Sequence, residues 1–225
     1  MEIKDLLTPC VTVLGVFLAA HFALRNEHKK KALEIETAQI ERLSALVDRS
    51  LDNFGQYTGA LAGIVDIKTK VMVEAHHPDE RDSVEMDIEQ LQGWKDAIDD
   101  STYELNRNDL RQAAHGLRFH RESDWNYWSN LVPLVHREIN EFFMITTPGK
   151  ENIDRKNRRR TADEARNFAT TMRDRTTELT TLKGQLISSM KADFDKLIRP
   201  KESLNFCSLL NDFWCWVIHF FNCRF

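Results

Sequence analysis

Between residues 11 and 206 the chain has no cysteine, which excludes a disulfide scaffold or a thiolate zinc site for the polar middle of the molecule. The four cysteines sit at the ends, Cys10 in one apolar run and Cys207, Cys215 and Cys223 in another, and none forms a CxxC pair. That placement suits a reducing compartment. Glycine and proline are scarce, eight and five in 225 residues, and no segment sustains period-two alternation. Together these absences argue against sheets and predict an all-α fold. There is no GxGxxG, GxxxxGK[ST], GxSxG or HExxH, so neither a phosphate cradle nor a hydrolytic centre is expected. The expectation is a protein that is not an enzyme, uses no cofactor and binds no metal. His76 and His77, ahead of Asp79, Glu80 and Asp82, come nearest to a ligand set, but adjacent helical side chains diverge and Pro78 breaks the geometry.

With 29% charged residues and a mean hydropathy of -0.47, the chain is no polytopic transporter. Its apolar residues gather at the two ends instead. Leu6 to Leu24 reads LLTPCVTVLGVFLAAHFAL and carries no formal charge unless His21 is protonated. A helix of that length matches the ~30 Å hydrocarbon core of a bilayer. A secretory signal fits less well, because the leader lacks net positive charge and no small-x-small cleavage site precedes Arg25. Arg25, Lys29, Lys30 and Lys31 follow the run against a lone Lys4 before it. The positive-inside rule then leaves Met1 outside and the remainder in the cytoplasm. Within the span, Gly15 and Ala19 form a small-xxx-small pair suited to helix packing, and Thr12 and His21 are candidate pore-facing or packing groups. An interfacial role for His21 is the plainer alternative.

Beyond the span, residues 32–200 read as a helical cytoplasmic domain, after 1–31 as transmembrane helix with basic flank. Leu33, Ile40, Leu43, Val47 and Phe54 fall on a/d heptad positions, with Glu36 and Ser50 filling the gaps. This predicts a coiled-coil stalk continuous with the span. Further helices are expected over Tyr57 to His76, from Ser83 through Ile98, through Leu105 to Leu117, and over Trp125 to Phe142 with a kink or restart at Pro133. Pro148-Gly149 and the polarity of residues 146–160 mark a loop. Thr161 with Glu164 is a capping-box pattern announcing a long helix that Pro200 stops. Residues 201–225 are apolar and aromatic but interrupted by Asp212, which would cost ~3 kcal/mol at mid-membrane. Lying on the inner leaflet is the preferred placement, with spanning and burial in protein left open.

An acidic run to Asp100 carries nine carboxylates between 79 and 100 and reads as a solvated helix face. The cations are more concentrated. Arg155, Lys156, Arg158, Arg159 and Arg160 fall within six residues, and Arg107, Arg111, Arg118 and Arg121 with His115 and His120 spread along one helix. Trp125, Tyr127 and Trp128 follow. Cations beside exposed rings suit single-stranded nucleic acid, since the former neutralise phosphates and the latter stack bases at ~1–3 kcal/mol each. Lipid headgroups and internal ion pairing are the competing uses of the same charges, and tryptophans at helical spacing often belong to a core.

The opening LLTPCVTVLGVFLAAHFALRNEHKKK, feeding a small helical cytosolic domain with a basic loop, resembles the membrane effectors of bacterial anti-phage systems, most closely the Hailong-type effectors. That resemblance is architectural, spans most of the chain and rests on no diagnostic motif, so no site residue is carried across. It implies a homo-oligomeric ion channel of the bacterial inner membrane, with a tetramer as working size, gated by a single-stranded DNA oligomer on its cytosolic domain. The candidate nucleic-acid contacts are Arg155, Lys156, Arg158, Arg159, Arg160, Arg118 and Arg121. A membrane-anchored coiled-coil scaffold recruiting cytoplasmic partners is the alternative.

Overall fold

The computed structural model describes residues 3–78, 84–143 and 159–198, with backbone alone for 3–15, 17 and 18. Five helices and one short ribbon are present among them: α1 (Ile3–Ala75), β1 (Glu85–Asp87), α2 (Ile88–Asp99), α3 (Arg107–His120), α4 (Glu122–Phe142), β2 (Arg159–Thr161) and α5 (Ala162–Ile198). The chain divides into two compact units, residues 1–38 with 191–225 and residues 39–190. The all-α expectation holds for the bulk. The absence of any sheet does not: β1 pairs antiparallel with β2, Met86 opposite Arg160. Strands of three residues are too short to show a period in sequence.

Within residues 39–190 the helices run up, down, up, down. Moving along α1, Asp52, Gly59 and Asp66 meet successively lower-numbered residues of α5, namely Lys183, Thr176 and Arg173. These two helices are therefore antiparallel. In the same sense Leu43 and Arg49 meet Gly116 and Asp109 of α3, and Thr69 meets Met86 just ahead of α2. Hence α2 and α3 lie in tandem along α1, as one antiparallel helix broken at residues 100–106. Asn53 of α1 braces the break: its amide donates to the Glu104 carbonyl at 3.0 Å and accepts from the Asn106 N–H at 2.8 Å. Asn106 in turn caps α3 by accepting from the Asp109 N–H at 3.1 Å. Finally α4 runs antiparallel to α5, with Phe142 stacked on Phe168 and Glu138 bonded to Arg175.

The core between these rows includes Val47, Leu51, Phe54 and Leu61 of α1, Leu91 of α2, Leu117 of α3, Trp128 and Val135 of α4, and Met172, Leu179 and Leu186 of α5. The heptad reading thus holds from Ile40 onward, although Ser50 closes its gap by donating to the Val47 carbonyl at 3.1 Å, and Leu33 is exposed. Ion pairs tie the rows along the outside. Lys183 reaches Asp48 and Asp52 at 3.4 and 3.0 Å, and Arg175 bonds both Glu138 oxygens at 2.9 and 2.7 Å. These pairings raise both cations above their ordinary pKa, chiefly through the bonds to Asp52 and to Glu138.

Three expected boundaries shift. No separate helix begins at Tyr57: α1 passes through Gly55, because one helical glycine costs only about 1 kcal/mol and the apolar face continues on both sides. The third helix starts at Ile88 rather than Ser83, since residues 85–87 join the ribbon, and Gln90 accepts from the Asp87 N–H at 3.3 Å. Pro133 neither ends nor restarts α4. It is exposed, so water can take the carbonyl its missing N–H would have served. The capping box is realised: Thr161 N–H donates to Glu164 Oε2 at 2.9 Å and Glu164 N–H to Thr161 Oγ1 at 3.2 Å.

In the smaller unit, the side chains from Ala19 to Glu36 are all exposed. Among the described residues, no helix is long and apolar enough to cross a membrane. The expected span falls largely on positions whose side chains lie outside the described set. The readings made for residues 201–225 and for most of the 146–160 loop also lie outside the described residues.

Candidate functional site

The helices sort the candidate cations into two groups. Arg155, Lys156 and Arg158 lie outside the described residues. Arg159 and Arg160 belong to β2 rather than to a loop. Arg159 faces its partner strand, 3.2 Å from Glu85 and 3.0 Å from Asp87, and these contacts, led by the Glu85 bond, raise its pKa. Arg160 closes the end of α4: its guanidinium donates to the carbonyls of Glu141 at 2.8 Å and Phe142 at 3.3 Å and sits 5.7 Å from the Phe142 ring. Orphan carbonyls at a helix C-terminus attract such a cation. Arg121 is bonded to the buried Asp124 and donates to Ser189 Oγ at 2.9 Å, joining the start of α4 to α5. For these three, internal pairing takes up the charge that the sequence offers to a ligand.

Arg118 is different. Helical spacing places it with Arg107, Arg111 and His115 on one stripe of α3, facing away from the buried Leu110, Ala113 and Leu117, and all four are exposed. Phe119 beside them is 78% exposed. The aromatic partners expected from α4 are mostly absent from the surface: Trp128 is buried and Trp125 packs against the core, leaving Tyr127 exposed. A row of three guanidiniums and an imidazole with an adjacent open ring can neutralise successive phosphates and stack a base. This α3 stripe is the candidate anion site.

Beneath it lies a titratable cluster that sequence reading missed. Tyr57 of α1, Lys95 and Asp99 of α2, Arg107 of α3 and His136 of α4 converge near the α2–α3 break. Lys95 is buried and bonded to Asp99. Burial, then the Asp99 carboxylate, drive the Tyr57 hydroxyl well above its ordinary range. His136 stacks on Phe54 with centroids 5.0 Å apart. Burial, aided by the Arg107 charge, holds its imidazole below the usual value. These residues are far apart in sequence and fit no motif, so only the fold assembles them.

The unfolded chain therefore protonates His136 first as pH falls through about 6.5, and stability present above that pH is lost below it. The midpoint of urea unfolding should be lower at about pH 5.5 than at about pH 7.5, and His136→Phe should flatten that difference. An unaltered slope in the variant would remove His136 as its source.

Of the residues assigned to the span, Thr12 and Gly15 have no described side chains. Ala19 and His21 are exposed, and His21 meets the Phe22 ring edge-on at 6.3 Å. Among the described residues no group of three His, Cys, Asp or Glu side chains could hold a metal ion, and His76 Nδ1 instead lies 2.7 Å from the Met72 carbonyl. No family model, curated protein or solved structure matches the chain.

Proposed function

We propose that the chain is a homo-oligomeric effector of the bacterial inner membrane, serving anti-phage defence, that forms or perturbs an ion-conducting pore. Its N-terminal segment crosses the bilayer with Met1 outside, and residues 39–190 form the cytoplasmic ligand-sensing domain. One observation carries this reading. Ala19, Ala20, Phe22, Ala23 and Leu24 are exposed on α1 and abut an exposed charged turn containing Arg25, Lys29, Lys30 and Lys31. So abrupt a change from apolar to cationic on one uninterrupted helix suits the cytoplasmic boundary of a bilayer. An uncovered helix of this kind is marginal in water, and lipid or sister helices would cover it.

A single span cannot enclose a pore, so the reading requires several copies. Gly15 and Ala19 would let spans approach closely. The ligand is an anionic polymer, with a single-stranded DNA oligomer as the leading case, and its contact is the α3 stripe. Gating follows if the ligand binds closed and open assemblies with different affinity. No catalytic step is proposed.

Induced expression should collapse the membrane potential, read with a voltage-sensitive dye. An intact potential in cells that carry the protein in their membrane fraction would point to an anchored scaffold instead. Binding of short single-stranded DNA to the detergent-solubilised protein tests the ligand. Replacing Arg107, Arg111 and Arg118 together with Ala should weaken it and reduce the slope of log affinity against log salt by about 2. Unchanged affinity and slope would remove the α3 stripe from the binding site.

A further inference from the structure

Helices α4 and α5 leave an open groove of about 510 Å³ between them. Its floor is apolar, made by Tyr127, Leu131 and Leu182, and Asp174 and Glu178 stand on its α5 rim. Those two carboxylates are one helical turn apart, so about 6 Å separates them along the axis. Elsewhere on the same bundle, α1 carries an apolar ridge facing away from the core. Ile67 is 64% exposed and Val71 58% exposed, again one turn apart. Lys68 and Lys70 flank the ridge and are exposed. Lys70 only grazes Glu74, at 3.9 Å with both side chains largely in water.

We infer that the Ile67–Val71 ridge of one copy seats in the α4–α5 groove of the next. Two features select a second copy as the occupant. The ridge offers aliphatic groups at i and i+4, the spacing by which a helix anchors in an apolar groove. Its flanking lysines are positive where the α5 rim of the groove is negative. Ridge and groove are different surfaces of one molecule, so the contact is heterologous and propagates head to tail, closing into a ring when the rotation allows. This deepens the oligomeric part of the proposed function, which rests on spans meeting in lipid, by adding a specific contact between cytoplasmic bundles. Glu178 keeps its bond to Arg175 at 2.7 Å with its carboxylate half exposed, so it can serve both the bundle and a neighbour.

Charge reversal tests the arrangement in the full chain in detergent, with particle mass as the readout. A ridge-reversed chain carries Lys68→Glu and Lys70→Glu, and a groove-reversed chain carries Asp174→Lys and Glu178→Lys. Each alone presents like charges at every contact and should lose at least tenfold in assembly affinity, most strongly at low salt. Mixed in equal amounts, the two chains present opposite charges at both alternating contacts and should reassemble. Ile67→Glu with Val71→Glu, at solvent-facing positions, should lose assembly while keeping its helical circular dichroism. Wild-type protein that assembles alongside variants that assemble equally well would overturn the ridge-in-groove contact and leave span-mediated oligomers standing. Wild-type protein that stays monomeric at all concentrations would overturn both.

Discussion

Replacing Asp124 with Ala should lower the unfolding free energy by about 3–5 kcal/mol, the usual cost of removing one member of a buried ion pair. Asp124 is 4% exposed and bonded to Arg121, whose guanidinium also donates to Ser189 of α5. Without the carboxylate, a guanidinium on a nearly dry side chain loses this bonded partner while still packed between α4 and α5. The double variant Arg121→Met with Asp124→Leu should recover most of that loss, because it removes both charges and keeps apolar volume. Urea titration reads both as midpoint shifts at constant slope. An Asp124→Ala protein within about 0.5 kcal/mol of the parent would mean that water already reaches the pair.

Phe168→Ala should be comparably damaging, at about 3–5 kcal/mol. The Phe168 ring lies 3.9 Å from that of Phe142 at 10° and meets Phe143 edge-on at 5.6 Å and 85°. The guanidinium of Arg160 completes the stack beside Phe142. Deleting the central ring opens a cavity and breaks two aromatic contacts, each worth about 0.5–1.5 kcal/mol beyond its buried area. Phe168→Leu should restore roughly half of the loss by refilling volume without the ring geometry. Thermal unfolding of the three proteins orders them, and Ala and Leu variants of equal stability would show that packing volume contributes nothing at this position.

The same residues show what sequence reading could and could not reach. Thr161 and Glu164 were readable because a capping box depends only on residues three apart, and both of its hydrogen bonds form. The core face from Leu43 to Phe54 was readable because helical periodicity is local. Arg159 and Arg160 were not, because their partners Glu85 and Glu141 lie 74 and 19 residues away, and Arg121 was readable only toward Asp124, three residues on, and not toward Ser189, 68 residues away. A guanidinium in a sequence does not announce whether it will meet a phosphate or a helix end. His136 was hidden for the same reason: its neighbours Phe54 and Arg107 come from two other helices. The α3 stripe is exposed because its spacing is helical and Leu110, Ala113 and Leu117 turn inward. Its aromatic half was overstated, since Trp128 fills the core.

The pairing of α1 with α5 also constrains the order in which the molecule can be made. Translation delivers α1 well before α5, the helix that must cover Leu51, Phe54 and Leu61. Residues 76–161 separate the two helices, and at ~5–20 residues per second a ribosome needs roughly 4–17 s to cross that interval. Throughout it, the inner face of α1 lacks its α5 cover while the local α3–α4 hairpin is still emerging. The apolar inner face of α1 would thus leave the exit tunnel well before the bundle of residues 39–190 can close.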